Sequence, residues 1–135
     1  MRVFILGMAL SVSAWAGERH IPKWGPFLDA LAEVESTSGT DMINEDEDAQ
    51  GWYQMRPLAR KDANDILGTK YRGKDLHNRR IANQMYMAYI WRYRSRWQTV
   101  GDLIHLWHLG PDWRNRLDLD CGYQARVLQA YRRRR

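Results

Sequence analysis

The chain carries one cysteine, Cys121, in 135 residues, so no intrachain disulfide can form whatever the redox compartment. Phenylalanine occurs only twice. No internal repeat and no flexible linker is present, which excludes a repeat array and a multi-domain string. No apolar run is long enough to span a bilayer comfortably, which argues against a membrane-embedded chain. A chain of this length makes one domain.

What is present is concentrated in a few places. Residues 1–16, MRVFILGMALSVSAWA, combine a positive start at Arg2, a mostly apolar core from Val3 to Val12 and an A-x-A signal at Ala14-Trp15-Ala16. They are expected to be a secretory signal peptide, with an uncleaved anchor as the alternative, and residues 17–135 to form the domain. The formal net charge is +5. Part of it lies in Arg132–Arg135, expected to be a solvated basic tail. A basic balance suits an anionic partner such as a cell-wall polymer, lipid headgroups or nucleic acid, and export argues against the last. Seven tryptophans and seven tyrosines suit both cores and sugar-stacking clefts.

The periodicity reads as mainly helical. A first helix is expected to start at Gly25-Pro26 and to end at Ser38-Gly39. Residues 40–51, TDMINEDEDAQG, read as a loop or short hairpin, and GWYQM (51–55) as a short strand or the lead-in to a helix. Further helices are expected over Pro57 to Leu67, closed by Gly68, and from about Asn78 to Trp97. Two more follow, over VGDLIHLWHL (100–109), closed by Gly110-Pro111, and over YQARVLQAYR (123–132). The last carries Tyr123, Val127 and Tyr131 on one side.

One position breaks the pattern. Leu28, Leu31 and Ala32 form an apolar stripe at i, i+3, i+4, and the next position on it is Glu35. Glu33 points elsewhere and reads as an ordinary solvated acid. A carboxylate that closes an apolar stripe is either frayed into solvent or held half-buried. Half-burial would raise its pKa and make it a proton donor.

Four segments, in order, resemble one family pattern. AEVES (32–36) resembles the A-x-x-E-S of SLT-type lytic transglycosylases and goose-type lysozymes. AQGWYQMRP (49–57) resembles their G-A-x-G-L-M-Q-x-x-P through Ala49, Gly51, Gln54 and Pro57. LWHLGP (106–111) resembles A-Y-N-x-G-P, with Trp107 for Tyr and His108 for Asn. GYQARVLQAY (122–131) resembles Y-V-x-x-V-L-x-x-Y through Tyr123, Val127, Leu128 and Tyr131. The matches span nearly all of residues 17–135.

The resemblance implies an α+β, mainly α, lysozyme-like domain of about five helices with a small β-hairpin or loop. It implies cleavage of the β-1,4 bond between N-acetylmuramic acid and N-acetylglucosamine in peptidoglycan, with Glu35 as the catalytic acid. It would place Ser36 beside that acid, Gly51, Trp52 and Gln54 along the glycan cleft, and Trp107 and His108 in the cleft wall. The Tyr123 hydroxyl would orient Glu35. Trp52 and Trp107 fit a plain core equally well, and Tyr123 can also be core. Lytic transglycosylases use one carboxylate and close a 1,6-anhydro ring without water. An inverting hydrolase needs a second carboxylate about 6.5–9.5 Å away. Six residues before Gly51, where the transglycosylases commonly carry Ser and goose-type lysozymes Asp, this chain has Glu45, flanked by Asp46 and Asp48. The short interval from Glu35 to Gly51 favours the transglycosylase; Glu45 favours the hydrolase, unless the acidic loop is only a solvated surface.

No cofactor and no metal are expected. NEDEDAQG places acids at alternate positions, but Met55 stands where a calcium loop needs its bidentate glutamate. His105 and His108 lie at i, i+3 without a third ligand at sensible spacing. His20 and His77 read as surface histidines, and Cys121 as a small helix-start residue. The expected partners are peptidoglycan glycan strands, met as a monomer in the periplasm or cell envelope, with no nucleic acid. A secretion, conjugation or phage lysis apparatus would suit such an activity. A non-catalytic wall-binding module is the alternative of a different class.

Overall fold

A computed structural model describes residues 20–135; the expected signal peptide lies outside the described residues. The chain is mainly helical with one small antiparallel sheet, an α+β fold dominated by α structure. Its main elements are α1 (Trp24–Ser36), β1 (Ile43–Asn44), β2 (Ala49–Gln50), α2 (Pro57–Leu67), α3 (Arg79–Arg92), α4 (Val100–Leu109) and α5 (Tyr123–Arg132). Short 3-10 turns at Gly73–His77, Arg94–Arg96, Trp113–Asn115 and Leu117–Leu119 join the later helices.

The helix boundaries follow local chemistry. Helix α2 begins at Pro57, whose missing N–H would have no intrahelical partner anyway, and ends at Gly68 in the left-handed conformation. The Thr99 hydroxyl accepts from Asp102 N while the Asp102 carboxylate accepts from Thr99 N, a capping box that opens α4. Asn78 caps α3 in the same way, its Oδ1 accepting from Ile81 N.

Two helices differ from the sequence expectation. Helix α1 starts two residues before Pro26, at Trp24. It closes at Ser36, with Thr37, Ser38 and Gly39 all at positive φ. Helix α3 stops at Arg92, not near Trp97. Trp97 is fully buried, and its indole N–H donates back to Ile90 O at 3.1 Å, a reach that requires the chain to fold back on α3.

The acidic stretch forms a hairpin with Ile43 opposite Gln50 and Asn44 opposite Ala49. Its turn is held by Asn44, whose side chain accepts from Glu47 N and donates to Glu47 Oε2. GWYQM is neither strand nor helix. It is a tight turn closed by the Gln50–Met55 bridge, with Gly51 and Gln54 at positive φ.

The core lies between α3 and the surrounding helices. Phe27, Leu31, Met85, Tyr86, Ile90, Leu103, Leu106 and Val127 are all fully buried in it. Helices α1 and α5 pack along each other, as do α2 and α3. Lys23 N donates to the Tyr131 hydroxyl at 2.9 Å, and Tyr131 packs edge-on against Phe27.

The expected solvated tail is instead anchored. Arg132 ends α5, and the guanidinium groups of Arg133 and Arg134 meet Glu33 at 2.5 and 2.6 Å. Arg135 lies over the Tyr131 ring. Glu33 is therefore not an ordinary solvated acid, and the Arg134 hydrogen bond holds its carboxyl below the usual range. The neighbouring arginines share one acid, which restrains them near α1.

Gly51 offers a direct test of the turn. Its φ is +92°, and a Cβ there would overlap the Leu76 backbone. Gly51→Ala should cost about 2–4 kcal/mol in urea unfolding. Gly25→Ala, in α1 with nothing within 4 Å, should be neutral or stabilise by up to about 1 kcal/mol.

Candidate active site

Glu35 lies in the last turn of α1, partly buried. Helix periodicity dictates that placement: the stripe that buries Leu28, Leu31 and Ala32 carries Glu35 into the same interior. The hydroxyl of Tyr123, the first residue of α5, donates to Glu35 Oε2 at 2.6 Å. Tyr123 is itself buried, and its ring stacks on His108 with centroids 4.0 Å apart and planes within 13°. His108 projects from the last turn of α4, so three helices converge on one carboxyl group.

Burial pushes the Glu35 pKa up from the ordinary 4.5 to about 7. The Tyr123 hydrogen bond and the nearby Arg56 guanidinium pull it down, while Glu47 pushes it up. Desolvation wins because the stripe beneath the group is apolar. The same burial, with Arg56 nearby, lowers the His108 pKa below its ordinary value. At neutral pH the site thus holds an acid that is about half protonated beside an imidazole that resists protonation.

Arg56 ties the site together. One guanidinium nitrogen donates to His108 O at 3.1 Å, and the other pairs with Glu47 at 3.2 Å. Glu35 lines one of two neighbouring cavities. A cavity of about 620 Å³ is lined by Glu35, Asp41, Ile43, Asn44, Glu45, Asp46 and Gln54. The other, about 670 Å³, has an apolar floor including Tyr89, Trp107, Leu109 and Pro111, with Glu47, Arg56, His108 and Arg116 around it. Gln54 lines both, so they meet at that side chain.

The sequence-predicted residues divide between this groove and the scaffold behind it. Glu35, Glu45, Gln54, Trp107 and His108 line the cavities, and Tyr123 touches Glu35. Trp107 is also core, as its indole N–H donates to Tyr53 O at 2.9 Å and its ring packs against Tyr86 and Tyr89. Ser36, Gly51 and Trp52 line neither of these two cavities. Ser36 is fully buried; its hydroxyl accepts from Gly39 N and donates to Trp52 O at 2.8 Å, locking the end of α1 to the tight turn. Gly51 permits a close backbone approach to Leu76. Trp52 donates to His77 O, packs beneath Gly39 and lies under the Arg79 guanidinium.

Other histidines also have structural partners. His77 faces Gln50 Oε1 at 3.2 Å and is not a lone surface residue. His105 lies 3.3 Å from Asp120 and stacks on Trp113, pointing away from any pairing with His108.

Sequence reasoning missed Arg56, Glu47 and Asp41. Arg56 stands at an unspecified position of its motif; its only signal was a cation directly before the Pro57 helix start. No protein-family model matches the chain, and no curated protein and no solved structure matches it.

The shifted carboxyl has a thermodynamic signature. The unfolded chain ionises this group near 4.5 and the folded chain near 7, so the folded state binds the proton more tightly in that window. Its contribution to stability is therefore most favourable below 4.5 and declines as pH rises to about 7. Glu35→Gln should be more stable than the parent at pH 8, by on the order of 1–3 kcal/mol, and equal to it near pH 4. Urea unfolding at the two pH values measures this difference.

Proposed function

We propose that this chain cleaves the β-1,4 glycosidic bond between N-acetylmuramic acid and N-acetylglucosamine in peptidoglycan strands. A single observation carries the reading: Glu35 is a carboxyl group whose burial raises its pKa to about 7, fixed by Tyr123 and lining an open groove. Bond scission needs such a group, because the leaving oxygen must receive a proton as its bond to the anomeric carbon breaks. The order of the four sequence motifs supports the same assignment.

In the reaction, Glu35 transfers its proton to the glycosidic oxygen, which leaves with the N-acetylglucosamine side. The N-acetyl group of the muramic sugar assists at the anomeric carbon. The carboxylate then takes the proton from that sugar's 6-hydroxyl, whose oxygen bonds to the anomeric carbon and closes a 1,6-anhydro ring. No water is consumed, and Glu35 ends protonated again. Tyr123 keeps the carboxyl aimed throughout, and Gln54 offers its amide where the two cavities meet. Export to the periplasm or cell envelope, and work as a monomer or beside a secretion, conjugation or phage lysis apparatus, belong to this proposal.

A hydrolytic muramidase is the second reading, favoured by one observation. Glu45 lines the same cavity as Glu35, joined there by Asp41 and Asp46, so an acid stands where a water could be activated.

Mass spectrometry of purified glycan strands incubated with the protein separates the two. Products with 1,6-anhydro muramic ends are expected, and Glu35→Gln should reduce their rate roughly 10²–10⁴-fold. The rate should fall as pH rises above about 7, where Glu35 loses its proton. Reducing ends heavier by one water, lost in Glu45→Gln, would establish the hydrolase. Absence of cleavage by the parent across pH and strand preparations would overturn both.

A further inference from the structure

The cavity next to the one that Glu35 lines takes no part in the proton transfers, yet it is the larger of the two at about 670 Å³. Its walls mix aliphatic side chains with a few charges. Leu58, the second residue of α2, is 79 % exposed, and Leu119, in the last 3-10 turn before α5, is 55 % exposed. Both line this cavity, together with Leu109 and Pro111. Aliphatic side chains gathered at one recess, two of them open to water, form the kind of surface that another molecule covers.

The charges of this cavity balance in number but not in availability. Glu47 is taken by Arg56 at 3.2 Å, and Arg56 also donates to His108 O. Asp112 accepts from the Asn115 amide at 2.6 Å. Arg116 is exposed on the cavity wall and, among the described residues, makes no ion pair and no side-chain hydrogen bond. A guanidinium with its donors unspent suits a carboxylate. The neighbouring cavity is the opposite: Glu35, Asp41, Glu45 and Asp46 line it, and no cation does. A ligand that spans both therefore has its anionic groups turned away from the acids and toward Arg116. Gln54 lines both cavities, and its amide is pinned to Gly51 O at 3.1 Å. A sugar ring with its anomeric carbon at Glu35 occupies the acidic side, so the arginine side is the recess open to a substituent of that ring. The muramic sugar carries such a substituent, a lactyl group joined to a short peptide. Its alanine methyls match the aliphatic walls, and its free carboxylates match Arg116.

We propose that this second cavity holds the peptide stem of a peptidoglycan strand and that Arg116 reads the carboxylates of that stem. The inference rests on the glycan-cleaving reading of Glu35 and narrows it: the favoured substrate is a strand that still carries its peptides, not naked glycan. Arg116 is then a binding residue with no part in proton transfer. Its effect belongs in the affinity for the strand, not in the rate at which the bond breaks.

Two measurements on the intact protein test this, and the first needs no catalysis. A synthetic lactoyl tetrapeptide of alanine, γ-linked glutamate, a diamino acid and alanine is titrated while the Leu58 and Leu119 methyl resonances are followed by NMR. The same peptide with its carboxyl groups amidated is the comparison. The acidic peptide should shift those resonances to saturation, and the amidated one should bind roughly three- to tenfold more weakly. Arg116→Gln should erase that difference and Arg116→Lys should restore part of it. Arg80→Gln removes the same charge from an exposed position that lines neither cavity, and should leave the difference intact. The second measurement compares cleavage of stem-bearing strands with cleavage of strands stripped of their peptides. Arg116→Gln should raise KM for the stem-bearing strands by a similar factor, with kcat unchanged and stripped strands unaffected. Failure of the acidic peptide to bind, equal binding of the two peptides, or an equal loss in Arg80→Gln would overturn the proposal. Cleavage of both strand types that is indifferent to Arg116 would sink the stem cavity and leave the enzyme reading standing. Peptide discrimination without any glycan cleavage would do the reverse.

Discussion

The hydrogen bond from Tyr123 to Glu35 is the point on which the rest of the structure turns. It joins residues 88 apart in sequence, one at the end of α1 and one at the start of α5. Around it the packing of α1 on α5, the stack of His108 on Tyr123 and the Arg56 bridge to His108 O all take their places. The bond alone is worth only a modest net energy, because each partner would otherwise be hydrated. Its leverage comes from burial. A carboxyl drawn into an apolar stripe must either stay protonated or find donors, and the surrounding elements are arranged around that requirement.

The electrostatics of the groove are uneven in a way that follows from chain order. The hairpin delivers acids to the cavity that Glu35 lines, while the segment from Arg56 onward and the turn after α4 deliver arginines and apolar surface to the neighbouring one. Arg56 stands between them, neutralised in part by Glu47, and moderates the acid without abolishing its upward shift.

Much of the fold was legible from local rules. Pro57 and Gly68 bracket α2, Thr99 and Gly110 bracket α4, and the Tyr123–Val127–Tyr131 face of α5 is buried as its spacing demands. What local rules could not see were long-range fastenings. Trp97 turns back to Ile90, so α3 ends early; Glu33 collects two arginines from the far end of the chain, so the basic run is anchored. The site was partly legible for the same reason. Glu35 announced itself by sitting on an apolar stripe, whereas the contacts by which Ser36, Gly51 and Trp52 secure the tight turn depend on partners distant in the chain. Arg56 lies in a different segment from Glu35 and carried no pattern that pointed to it.

The α1–α5 pairing also has a consequence in time. The acid is near the beginning of the described chain and its tyrosine partner near the end, with Lys23 and Tyr131 closing the same seam. A polypeptide emerging in order from a ribosome or through a translocation pore exposes Glu35 long before Tyr123 arrives. Until then the carboxyl is hydrated, ionised and without its partner, and long-range closures of this kind are slow to form. The buried, hydrogen-bonded carboxyl is therefore withheld from every partial length of the chain, and ripens only when the last helix docks.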